Sequence, residues 1–161
     1  MPSTDSAASV LTPLALLEHW QGHRRVTRRV IGALPEDKIF EFSIGSMRPF
    51  SAMVMEFIKM AVPIARGVAT GKWEMKQDDT EPRSKAELLA LWDEATATLN
   101  EIWPQIPVHR FSEIDKAFGQ WEGTCINTIL YAIDNEIHHR GQGYVYLRAL
   151  GISPPAFYDR T

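Results

Sequence analysis

The chain has one cysteine, no long apolar run and no basic excess, and each shortage excludes something. A lone Cys125 cannot close an internal disulfide, and one cysteine in 161 residues suits a reducing compartment, so the cytoplasm is expected. No apolar stretch approaches the ~20 residues that span a bilayer, so no membrane association is expected. The opening "MPSTDSAASV" lacks a basic start followed by an apolar core, and residues 1–11 read as a flexible leader. Net charge is −3, so no global field gathers phosphates and no nucleic-acid partner is expected. The one basic run, "HRRVTRR", repeats Arg24, Arg25, Arg28 and Arg29 at helical spacing and reads as a solvated face.

What is present is ordinary for a folded domain: 45% hydrophobic and 23% charged residues, in a length suited to one domain spanning 1–161. Helix signals dominate and a convincing strand is hard to find. Thr12-Pro13 opens a first helix that ends near Leu34-Pro35, with Leu16, Trp20, His23, Thr27, Val30, Ile31 and Leu34 on its buried stripe. "PEDKIFEFSIGSMRP" reads as turns with a short extended piece. Pro49 then starts a second helix with an apolar face from Phe50 to Val68, kinked by Pro63 and weakened at Gly67 and Gly71. Ser84 and Glu87 form a capping box for a third helix, stopped by Pro104.

Residues 104–120 give no clear element. The fourth helix is predicted from about Glu122 to Leu150, with Gly151 as its left-handed cap and Pro154 and Pro155 forbidding continuation. Four helices without repeats predict an all-α four-helix bundle.

The fourth helix carries the unusual chemistry. At 100° per residue, Tyr131, Asn135, His138, His139, Gln142 and Tyr146 share one polar and aromatic stripe, opposite Ile126, Leu130, Ile133, Ile137 and Tyr144. Periodicity alone leaves open which stripe faces the bundle. Gly141 and Gly143 each cost ~1 kcal/mol in a helix interior, which close approach by a backbone or ligand would explain. The arginines Arg140 and Arg148 read as anchors of the helix end.

"NEIHHRGQGYVYLRALGISPP" resembles the fourth-helix signature of the DinB-like (DinB/YfiT) four-helix bundles, and "GSMRPFSAMVMEF" resembles a second-helix segment of the same family more loosely. The resemblance implies a pseudo-symmetric bundle, usually a homodimer. It also implies a divalent zinc or nickel held by one histidine of the second helix and a His-x-x-x-His pair of the fourth. Characterised members include thiol-dependent transferases in which the metal activates a thiol, and the family name records induction by DNA damage.

This chain departs from that pattern. Asn135 stands at the first position of the pair, leaving His139, and Glu56 or Met55 stands where the second-helix histidine belongs. Glu56, Asn135 and His139 are therefore the metal or pocket candidates, and Tyr131, His138 and Gln142 flank them. His23 is a further candidate from the inward stripe of the first helix, although a lone inward histidine is more often a satisfied core residue than a ligand. His19 and His23 form an i, i+4 pair without a third donor nearby. Two functions follow: a metal-dependent or small-molecule-binding protein, with thiol transfer as one activity, or a non-catalytic dimeric binding and stress-response bundle that has lost the metal. No nucleophile elbow or phosphate loop is present, and Cys125 reads as a small buried residue.

Overall fold

A computed structural model describes residues 10–75 and 80–161; residues 1–9, most of the expected leader, lie outside the described residues. Four long helices form a bundle: α1 (Pro13–Ala33), α3 (Phe50–Thr70), α4 (Lys85–Ile102) and α5 (Cys125–Ala149), with a short α2 (Lys38–Glu41) after α1. Two 3₁₀ turns, Trp103–Gln105 and Val108–Ser112, lead to a hairpin of β1 (Ile114–Ala117) and β2 (Trp121–Thr124).

The helix starts follow the local chemistry. Thr12 accepts the amide of Ala15 through its hydroxyl with Pro13 at the first turn, and Ser84 accepts the amide of Glu87, each satisfying an orphan donor. Glu87 returns a carboxylate oxygen to the Arg83 amide at 2.8 Å. Gly71 closes α3 at φ 72°, and Gly151 follows α5 at φ 75°, the left-handed conformation that lacks a Cβ penalty only in glycine. Pro63 lies inside α3, which continues past it.

The stripe expected inward on α1 is buried in full, including His23. Elsewhere the structure corrects the sequence reading. The expected extended piece after Pro35 is the helical turn α2, which buries Ile39 against the core. The unassigned residues 104–120 contain 3₁₀ turns and most of the hairpin, and α5 starts at Cys125 because Trp121–Thr124 pairs with β1 in antiparallel register, Lys116 opposite Glu122. A four-residue strand is too short to show alternation, which hides it from periodicity.

Two charged residues also lie elsewhere than the sequence pattern predicts. Arg24 does not sit on a solvated face: it is buried between α1 and α4, its guanidinium 3.9 Å from the centroid of the Trp92 ring and its Nε donating to Thr96. Nor does Arg140 anchor the helix end; it is buried against α1. On α5 the fully buried positions are Cys125, Ile129, Ala132, Ile133, Glu136, Arg140, Gly143, Tyr146 and Leu147. Of the five residues expected on the apolar stripe, Ile133 is buried while Ile126, Leu130, Ile137 and Tyr144 are half-buried. The inward face thus runs between the two stripes and includes two charges.

Candidate functional site

Helices α3 and α5 run antiparallel, and one close contact between them depends on a glycine. A Cβ added at Gly143 would lie 2.6 Å from the Phe50 ring, so the absence of a side chain lets that ring seat against the α5 backbone. Gly141, expected to serve the same purpose, faces open space.

Two turns along this interface Glu56 meets Asn135. The Asn135 Nδ2 donates to Glu56 Oε1 at 3.0 Å, Arg48 Nη2 lies 2.6 Å from Glu56 Oε2, and His139 Nε2 lies 3.6 Å from Glu56 Oε1. Arg48 is placed by the loop before α3, whose carbonyl at Arg48 accepts the Tyr146 hydroxyl at 2.7 Å. The His139 ring stacks near Phe57, with ring centroids 6.0 Å apart. Its Nδ1 faces Gln142 Oε1 at 3.3 Å, and the Gln142 amide nitrogen reaches His138 Nε2 at 3.5 Å.

Partial burial raises the Glu56 pKa, but hydrogen bonds from Asn135 and Arg48, with the charges of Arg48 and His139, outweigh it and hold the carboxyl below its ordinary range. The Asn135 Oδ1 is buried without a hydrogen-bond partner. Since Nδ2 is committed to the carboxylate, reversing the amide would set two acceptors against each other, so that oxygen is an acceptor short of a donor.

Of the residues singled out in the sequence, the structure brings together Glu56, Asn135 and His139, with Gln142 and His138 beside them. Tyr131 lies one turn below Asn135 on α5, exposed, on the wall of an adjoining groove. Met55 lines the outer groove beside Glu56. His23 sits elsewhere, at the α1–α5 interface, where Arg140 Nη2 is 3.0 Å from its Nδ1 and Arg140 Nη1 donates to its carbonyl. Arginine can only donate, so Nδ1 is the acceptor and the ring is neutral. Burial first, then the charges of Arg140, Arg160 and His19, lower its pKa to about 3.

Sequence reasoning missed Arg48, which lies in the quoted "GSMRP" but outside any helical stripe, and it missed the buried carboxylate Glu136. Glu136 accepts from Trp20 Nε1 at 3.2 Å and Thr27 Oγ1 at 2.5 Å, with Arg24 and Arg140 guanidinium nitrogens at 3.9 and 4.0 Å. Burial pushes its pKa up against the pull of Arg24 and of these hydrogen bonds. The available signal was the 3–4 spacing of Ile129, Ala132, Ile133, Glu136, Arg140, Gly143 and Leu147, a stripe that carries opposite charges one turn apart.

A model of the DinB family matches residues 5–161 of the chain. The chain belongs to the DinB family. A relative, the uncharacterized protein YjoA of Bacillus subtilis, is 26% identical over 149 residues, covering 90% of this chain and 95% of that protein. The crystal structure of the B. subtilis DinB-like protein YjoA matches with a TM-score of 0.76 at 21% identity, covering 91% of this chain and 99% of that one. A DinB-like protein from Bacillus cereus matches with a TM-score of 0.73 at 17% identity, over 90% and 97% of the two chains. These structures share the helical-bundle fold.

The DinB resemblance implies a three-histidine metal, and the donors present do not fit one. They are one imidazole, one carboxylate and one amide whose nitrogen, a donor without an available lone pair, faces the carboxylate. Among the described residues, no group of three or more His, Cys, Asp and Glu side chains is arranged to hold a metal ion.

Proposed function

We propose that this DinB-family chain is a metal-independent small-molecule-binding protein, its polar centre formed by Glu56, Asn135 and His139 with Arg48 paired to Glu56. The observation that carries this reading is the Glu56 carboxylate, bonded by Arg48 and Asn135, close to His139, and lining an open groove of about 600 Å³. That volume lies within the range of ligand pockets. Glu56 and His139 can exchange a proton with a bound molecule's N–H or O–H, so the arrangement suits either recognition or general acid–base assistance.

Metal-assisted thiol transfer is the disfavoured alternative, because its ligand set would need Asn135 and Arg48 displaced. Assembly as a homodimer in the cytoplasm belongs to the same proposal, supported by the family resemblance and the single buried cysteine. No described helix is long and apolar enough to cross a membrane.

The deciding experiment is the metal content of tag-free protein by plasma mass spectrometry, before and after incubation with zinc and nickel, beside His139→Ala. Well under one equivalent in every sample is expected. Near-stoichiometric metal that disappears in His139→Ala would overturn the reading.

A further inference from the structure

The antiparallel register of α3 and α5 extends the site beyond its polar centre. Phe50 faces Gly143 and Glu56 faces Asn135, so the same pairing carried forward sets Met60 across from Tyr131 and Ile64 across from Asn127. Those four residues line a second groove of about 440 Å³, roofed by the β1–β2 hairpin through Phe118 and Trp121. Met60 and Met75 line both grooves, which makes them neighbours along one path. From Glu56 to Ile64 is eight residues of helix, roughly 12 Å at 1.5 Å per residue.

The inner groove is built for an apolar body. Phe118 and Trp121 pack edge to face at 6.2 Å, and Trp121, Tyr131 and Met75 are each about 60% exposed, a costly display unless something covers them. Phe118 is held at φ 53°, the left-handed region that disfavours a bulky residue where glycine or asparagine would fit better. Its ring also packs on Trp73.

Among the described residues no lysine or arginine lines this inner groove, and its one charged lining residue is the carboxylate Glu122 at the hairpin. Moving from it along α3, the first charged side chain on the Met60 and Ile64 stripe is the Glu56 carboxylate, which lines the outer groove. The path therefore runs between two carboxylates, Glu122 under the hairpin and Glu56 at the other end. Arg48 lies beyond Glu56 and pairs with it, while Lys59 and Glu81 line the outer groove.

Resting on the small-molecule reading above, we infer that the ligand class is an amphipathic amine, its apolar or aromatic body under the hairpin and its ammonium at Glu56. A carboxylate of the same length, drawn to Arg48 and Lys59, is the competing occupant. The test is calorimetric titration of the full chain with 4-phenylbutylamine, 4-phenylbutyrate and n-butylamine, repeated on Trp121→Ala and Glu56→Gln.

Saturable one-to-one binding of 4-phenylbutylamine is expected, weakened roughly tenfold by either substitution and by loss of the phenyl body, with 4-phenylbutyrate at least about tenfold weaker. Circular dichroism of each variant separates lost binding from lost fold, and Tyr131→Ala, a change at an exposed side chain, is the replacement if either unfolds. Equal or tighter binding of 4-phenylbutyrate, no saturable amine binding, or amine binding untouched by the folded variants would overturn the inference. The metal measurement fails independently: metal-free protein that ignores the amine removes this ligand class alone.

Discussion

At the residue scale a costly group is Glu136, a carboxylate 1% exposed and held by two guanidinium groups, an indole and a hydroxyl. Taking a charge out of water is repaid only while every partner stays in place. Removing it in Glu136→Ala leaves Arg24 and Arg140 buried without a counter-charge, and a loss of about 3–5 kcal/mol in urea unfolding is expected. A loss below about 1 kcal/mol would show that water reaches the cluster. The same scale explains why the candidate site was half legible: Glu56 and His139 were found because a carboxylate and an imidazole mark chemistry by type. Arg48 was not, because its role depends on where a loop sets its guanidinium.

At the scale of elements, the two glycines of α5 look alike in the sequence and differ in the fold. Gly143 gives up its side chain so that the Phe50 ring can approach, whereas nothing lies within 4 Å of a Cβ at Gly141. Gly141→Ala is therefore expected to stabilise by up to ~1 kcal/mol through helix propensity. Gly143→Ala is expected to destabilise by about 1–3 kcal/mol through overpacking and a shift of α3 against α5. Thermal unfolding of the two variants side by side checks this, and equal shifts would contradict the close approach. The long helices were legible because caps and 3.6-residue periodicity recur along them. The hairpin was not, since its short strands owe their pairing to anchors such as the Cys125 amide on the Glu113 carbonyl and Arg110 bridging Val68 and Asp115.

For the whole molecule, stability should record the neutral His23. Its pKa falls from 6.5 to about 3 on folding, so between those values the unfolded chain binds more protons than the folded one. The stabilising contribution is complete above pH 6.5 and is lost as pH falls toward 3, amounting to roughly 3 kcal/mol by pH 4. His23→Gln keeps an acceptor for Arg140 without a titrating ring. The difference in unfolding free energy between the two proteins is expected to move in favour of the variant as pH drops from 7 to 4. A difference independent of pH would mean that His23 titrates in the fold as it does in water. Glu136, whose folded pKa is raised, acts in the opposite direction in both proteins and cancels in the comparison.

The sequence by itself determined the four long helices, the buried stripe of α1 and the resemblance to the DinB family, because spacing, caps and residue type are local properties. It also marked Glu56, Asn135 and His139. Only the tertiary structure decided that Arg24, Glu136 and Arg140 share one buried network. It alone placed Arg48 on Glu56 and left His23 with Arg140, on a different interface from His139. Those outcomes depend on which side chains two helices bring within about 3–4 Å, where desolvation and charge pairing act, and helical periodicity records a face without naming what it meets.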